Sequence, residues 1–285
     1  MMNLIQRASR RIDQLQRGSG VDAFTARLLA ASRGAVPTPL TEPLRPGRQV
    51  ELDVGAIERR GWIGANYTRS RLAEQLRQIK RPLLRNARDP ASPVAYPSLI
   101  MVTSVDGGAG KTFTAVNLAM SIALEIGTRA LLVDADVIRP GVADGLGFEP
   151  AEGLLDLLQE DPPALADLRL ASNIPRLSIL PAGTRSAMSS ELFASASMAA
   201  LLRELGRAGG SDIVIFDAPP LLPTNEAKQL AGLVGQIVLV VEAGRTTRAA
   251  VAQALDELRP YPLVLPLLYR SNDAAAEGGV YDASR

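Results

Sequence analysis

The residues best suited to chemistry lie in one stretch, Met101 to Thr112: Met-Val-Thr-Ser-Val-Asp-Gly-Gly-Ala-Gly-Lys-Thr. An apolar run ends, a glycine-rich turn follows, and a helical pattern opens at Lys111. Gly107, Gly108 and Gly110 allow successive backbone N–H groups to converge on one anion without Cβ clashes. The start of a helix adds unpaired donors and the positive end of its dipole. Lys111 brings a cation for β and γ phosphates, and the Thr112 hydroxyl can ligate Mg2+. The general phosphate-loop pattern has a glycine five residues before the last one. Val105 stands in that place, so the loop is a variant with its glycines closer to the lysine.

Acidic residues follow two other apolar runs. Leu131-Leu-Val-Asp-Ala-Asp136 carries Asp134 and Asp136, and Ile213-Val-Ile-Phe-Asp217 carries Asp217. In an open parallel sheet, ligands bind outside the carboxyl ends of the strands. Asp134, Asp136 and Asp217 are therefore expected beside the loop, where a hard cation and its waters would sit. The 285 residues contain no Cys and no His. That excludes thiolate chemistry, Ser-His-Asp hydrolysis, zinc hydrolysis and histidine phosphodonors. Asp, Glu, Lys, Arg, Ser, Thr, Tyr and the backbone remain.

The elements that must hold these groups are legible as an alternation of apolar strands and helices. Leu99 to Thr103, Ala130 to Val133, Leu177 to Pro181, Ile213 to Phe216, Ile237 to Val241 and Leu263 to Leu268 read as strands. Lys111 to Ile126 and Thr246 to Leu258 read as helices. Continuous apolar strands separated by helices predict an α/β fold, a doubly wound and mostly parallel sheet covered on both faces. A further helix is expected over Ser70 to Arg85, with Leu72, Leu76 and Ile79 on one face and Glu74, Arg77 and Lys80 on another.

Ahead of this body the composition changes. Residues 1–90 hold 17 Lys and Arg against 8 Asp and Glu, whereas residues 91–285 hold 14 against 22. Met1 to Arg17 has the spacing of a short basic amphipathic helix. Phe24 to Ser32 could be one more helical stretch. Pro37, Pro39, Pro43 and Pro46 then mark a linker. Such an arm is either a docking element for an anionic partner or a solvated leader. The expected division is a basic arm and linker over 1–65, a catalytic body over 66–270 and a mobile tail over 271–285. No run is long and apolar enough to span a bilayer, and the start has no apolar core of signal-peptide type.

Taken together, these motifs resemble those of the bacterial tyrosine kinases, the P-loop kinases of capsular and exopolysaccharide synthesis. The similarity is nearest to the exosortase-associated tyrosine autokinases. It runs from about Ser70 to Leu268 and is carried by Arg77 to Asn86, Gly110 to Ala119, Leu131 to Pro140, Gly153 to Leu158 and Ile213 to Leu222. It implies ATP and Mg2+ as ligands and a protein tyrosine as acceptor. Asp106, Gly107, Gly108, Ala109, Gly110, Lys111, Thr112, Phe113 and Arg270 would contact the nucleotide. Lys111 would neutralise the transferred phosphoryl group, Thr112 and Asp136 would hold the metal, and Asp217 would orient it through water. Asp134 would accept the tyrosine proton. Phosphoryl transfer rests mainly on positioning and charge stabilisation, so this set needs neither His nor Cys. Glu74, Arg77 and Lys80 match a segment that supports a ring-like homo-oligomer. A membrane polysaccharide co-polymerase would act as activator and hold a cytoplasmic kinase at the inner membrane.

Three features depart from the family pattern. Asp106 stands in a loop that faces a polyphosphate, which is unfavourable unless its side chain points away or caps an amide. Leu268, Tyr269 and Arg270 replace the Leu-Asn-Lys that usually ends the last strand and meets the base. The tail carries one tyrosine, Tyr281, where the family has a cluster. A nucleotide-gated scaffold with little kinase activity therefore stays open as an alternative. So does a partition-type or division-site ATPase, although that class has a lysine where Asp106 stands. No aromatic interleaving or helix-turn-helix pattern supports nucleic-acid binding.

Overall fold

The structure is a computed structural model that describes residues 48–63, 71–207 and 211–270. The expected helix at Met1 to Arg17, the stretch Phe24 to Ser32, the proline-rich linker and Tyr281 lie outside these residues.

Eight strands form one sheet: β1 (Gln49–Val50), β2 (Leu99–Ser104), β3 (Arg129–Asp134), β4 (Leu170–Ser172), β5 (Leu177–Leu180), β6 (Asp212–Asp217), β7 (Gln236–Glu242) and β8 (Val264–Tyr269). Their order is β1-β4-β5-β3-β6-β2-β7-β8. All neighbours are parallel except β4 and β5. The chain leaves β2, crosses to β3, and later returns to insert β6 between them. The carboxyl ends of β2, β3 and β6 are thus adjacent at the middle of the sheet, which is where such a fold places its ligand site.

Burial on both faces explains why the central strands are continuous apolar runs. Successive side chains point to opposite faces. Leu99, Met101, Val214, Phe216, Ile237 and Leu239 enter one apolar cluster, and Ile100, Val102, Ile213, Ile215, Val238 and Val240 enter the other. Helices cover both layers. On the second layer lie α1 (Val54–Arg59), α2 (Arg71–Arg88) and α3 (Lys111–Ala123). On the first lie Ala196–Arg207, Asn225–Ala231 and Arg248–Glu257. Helix α3, nearly all buried, packs on β2, β3 and β6 and fixes the loop that opens it.

The segment from β1 to Ile63, placed with the arm by composition, packs on the body. Leu52, Ile57 and Ile63 are fully buried. Asn173 accepts from the Leu52 amide at 3.1 Å and donates to its carbonyl at 3.0 Å, and Asn117 accepts from the Ile63 amide at 2.7 Å. Sequence alone hides this, because β1 is only two residues long.

Helix α2 turns a different face inward from the one its charges suggest. Ala73, Leu76, Lys80, Leu83, Leu84 and Ala87 are buried. Lys80 is therefore not presented to another subunit. Its Nζ lies 2.6 Å from Glu125 and donates to the Ser121 carbonyl at 3.0 Å, tying α2 to the end of α3. Burying the stem of a lysine while its ammonium finds an acid and a carbonyl is how such a residue enters an apolar layer. Glu74 and Arg77 stay toward solvent and pair at 2.9 Å.

Candidate active site

The loop leaves β2 at Ser104, whose hydroxyl donates to the Asp106 carbonyl at 2.6 Å. Gly108 and Gly110 adopt φ of 81° and 86°, a region that disfavours side chains. A Cβ on Gly110 would come within 2.5 Å of the Tyr269 ring, whereas the space in front of Gly107 is open. Helix α3 begins at Lys111 with no side-chain cap, so its first amides remain available to an anion. Asp106 is exposed.

Behind the loop, the three expected carboxylates gather. Asp134 and Asp217 are opposite one another in register at the ends of β3 and β6. Asp134, Asp136 and Asp217 are all buried. Lys111 Nζ contacts Asp136 Oδ2 at 2.5 Å, and the side chains are 11% and 3% exposed. Asp136 Oδ1 accepts from the Arg139 amide at 3.1 Å. Asp134 Oδ2 accepts from the Gly141 and Val142 amides at 3.1 and 3.0 Å, which leaves Oδ1 without a partner. The Thr112 hydroxyl faces Gly141, 3.2 Å from where a Cβ would stand.

The electrostatics follow from burial. Desolvation, then the charge of Asp217, pushes Asp134 up to about 8, against the two backbone donors. Desolvation pushes Asp217 up to about 6, opposed by Lys111 and the nearby Thr112 hydroxyl. Neither Asp217 oxygen completes a hydrogen bond. Burial by itself would lower Lys111, but the charges of Asp217 and Asp136 outweigh it and raise its pKa.

These residues fit a nucleotide with a hard cation. Buried carboxylate oxygens without partners call for an ion or ordered water. Among the described residues, no three His, Cys, Asp or Glu side chains converge into a ready cation site. A bound ion would then lean on water and phosphate oxygens, which suits Mg2+.

On the flank, Phe113 is packed in an aromatic row. Its ring centroid lies 6.1 Å from Trp62 and 5.6 Å from Tyr269. Arg270 stacks over Tyr269 at 5.2 Å and reaches Glu242 at 3.2 Å. The structure thus brings Asp106 to Phe113, Asp134, Asp136, Asp217 and Arg270 to one edge of the sheet. Glu74 and Arg77 lie on α2, and Lys80 is internal.

The AAA-domain family matches residues 98–256, from just ahead of β2 into the helix after β7. Tyrosine-protein kinase YwqD of Bacillus subtilis (strain 168) is 32% identical over 204 residues, 72% of this chain and 82% of that protein. The chain belongs to the bacterial tyrosine-kinase family. The kinase is also 33% identical over 215 residues to the succinoglycan biosynthesis transport protein ExoP of Rhizobium meliloti (strain 1021). That match covers 74% of this chain and 26% of ExoP, so the kinase spans about a quarter of that relative. Among solved structures, the BceF tyrosine kinase domain aligns with a TM-score of 0.58 and 28% identity, over 79% of this chain and 92% of that one. The expected P-loop fold and protein-tyrosine kinase class both hold.

Sequence reasoning missed Trp62, Glu242 and Arg245 at this edge. For Glu242 a signal was present, since it ends an apolar strand just as Asp134 and Asp217 do.

Proposed function

We propose that the chain is a Mg-ATP-dependent tyrosine autokinase that regulates exopolysaccharide or capsule synthesis and export. The observation that carries the reading is a lysine at a glycine loop, its side chain only 11% exposed, set against Asp136 with Asp134 and Asp217 buried close by at the carboxyl edge of a parallel sheet. In this reading Lys111 leaves Asp136 and neutralises charge on the phosphates. Thr112 and Asp136 would hold the metal, and Asp217 would orient it. Bound there, it would supply charge neutralisation at the phosphate oxygens. A tyrosyl oxygen forms the new bond to the γ phosphorus, the bond to the bridging oxygen breaks, ADP leaves, and Asp134, in its ionised form, takes the phenolic proton on Oδ1. Tyr281 of a neighbouring subunit is the acceptor, with Glu74 and Arg77 at the contact between subunits.

The resemblance to part of ExoP, a longer protein named for polysaccharide transport, supports a membrane co-polymerase as partner and a peripheral site at the inner membrane. Among the described residues, no helix is long and apolar enough to cross a membrane.

A second reading keeps nucleotide binding and drops the transfer. It is favoured by Asp134, which is 1% exposed and already holds two amides through one oxygen. Phosphopeptide mass spectrometry after incubation with ATP, Mg2+ and the co-polymerase separates the two. Kinase action predicts phosphate on Tyr281 in the wild type and none in Lys111→Ala. A wild type that binds ATP yet gains no phosphotyrosine leaves the scaffold reading.

A further inference from the structure

One cationic side chain rests on the phosphate loop without an assigned role. It is Arg245, and a tight turn puts it there. Strand β7 ends at Glu242, and Gly244 takes φ of 75°. The Arg245 and Thr246 amides both turn back to the Glu242 carbonyl, at 3.4 and 3.1 Å. The Thr246 hydroxyl accepts from the Glu242 amide at 3.3 Å. Because β7 pairs with β2, this turn lies beside the loop that leaves β2. Arg245 Nη1 ends 3.0 Å from where a Cβ on Gly108 would stand.

Glu242 is what holds the guanidinium. Its Oε2 takes Arg245 Nη1 at 3.1 Å, and its Oε1 takes Arg270 Nη1 at 3.2 Å. The carboxylate is 8% exposed, while the two arginine side chains are 64% and 66% exposed. One buried anion thus anchors two exposed cations, one on each oxygen, and the corner keeps a net positive charge. A guanidinium has five N–H donors in a planar fork that matches phosphate oxygens. Nη1, the nitrogen bonded to Glu242, is also the one nearest the Gly108 position, with Nη2 at 3.5 Å, so the fork lies over the loop with further N–H groups to offer an anion.

We infer that Arg245 is a second phosphate-contacting cation of this kinase, acting opposite Lys111, with Glu242 as its positioning residue. The inference rests on the reading of the loop as a nucleotide site. Lys111 approaches the phosphates from the helix side, where it is buried against Asp136. Arg245 approaches from the strand side, over Gly108. A polyphosphate on the loop then meets charge-assisted donors from both sides. The positive φ at 108 favours glycine, and the guanidinium lies directly above it.

The test is a fluorescence titration with a labelled ADP, displaced by unlabelled Mg-ADP and by a non-hydrolysable Mg-ATP analogue. Wild type, Arg245→Ala, Arg245→Lys and Glu242→Gln are compared, with melting temperatures recorded alongside. Arg245→Ala should weaken both nucleotides by about ten-fold or more, at an unchanged melting temperature. Arg245→Lys should recover part of the loss, since it keeps a charge but not the fork. Glu242→Gln should weaken binding less than Arg245→Ala. Wild-type affinity in Arg245→Ala overturns the inference while the nucleotide site stands. Tighter binding in Arg245→Ala also overturns it, because the guanidinium would then be in the way of the phosphates. Failure of the wild type to bind either nucleotide overturns the underlying reading as well.

Discussion

Lys111 and Asp136 are bonded to each other, Nζ to Oδ2 at 2.5 Å, in a site where one is expected to hold phosphate and the other metal. The loop's cation therefore rests on a carboxylate, and a bound nucleotide is expected to draw it away. With Asp217 and Asp134 close behind, the ammonium balances several buried carboxyls, and its raised pKa keeps it charged. Transfer of the ammonium from Asp136 to a phosphate is the side-chain movement that the proposed function requires.

Replacing that side chain removes both functions. Lys111→Met is expected to lower tyrosine phosphorylation by at least about a hundred-fold, as loss of a charge-stabilising group at a transition state does. Phosphotyrosine immunoblots over a time course with Mg-ATP check this.

Stability depends on pH with a defined sign. Asp134, near 8, and Asp217, near 6, both lie above the ordinary 3.8 of an aspartate. The folded chain holds protons that the unfolded chain has released. That contribution is complete below about pH 4 and is lost as pH rises through about 6 and then about 8. The Tm of the ligand-free protein should fall over this range in scanning calorimetry. Asp217→Asn should flatten its lower part.

Gly110 is fixed by backbone and by packing. Gly110→Ala forces a side chain into φ of 86° and sets a methyl 2.5 Å from the Tyr269 ring. A loss of about 1–3 kcal/mol is expected in urea denaturation. Tyr269→Ala in the same chain should recover part of it, because the two sites touch.

On α2, Lys80 is expected to act in packing and Glu74 and Arg77 in contact between subunits. Lys80→Ala should destabilise the monomer by about 1–3 kcal/mol through loss of the Glu125 and Ser121 contacts. Glu74→Ala with Arg77→Ala should leave the Tm nearly unchanged and shift the oligomer distribution in sedimentation velocity. An unaltered distribution would count against α2 as the contact between subunits.

The central strands were legible because burial on both faces leaves continuous apolar runs, and β2, β3, β6 and β7 begin and end within one residue of expectation. Asp134 and Asp217 were legible for the same reason, as acids directly behind such runs. Strands β1 and β4 were not, being two and three residues long with pairing set by tertiary packing. Helix Lys111–Ala123 stops short of the expected Ile126, and the chain turns at Gly127 with φ of 76°. Lys80 was misplaced because charge spacing was taken to mark the outer face, whereas a long stem let it enter the inner one. Arg245 comes to the loop through a turn and a strand pairing, neither of which local sequence reports.

Both the kinase and the scaffold readings require a nucleotide to bind where the glycine loop meets the carboxylates. Isothermal calorimetry of the purified chain with Mg-ADP tests this most directly. One saturable site in the wild type, lost in Lys111→Ala, is the predicted result. No heat of binding in the wild type, from a folded protein at millimolar nucleotide, would contradict kinase and scaffold readings together.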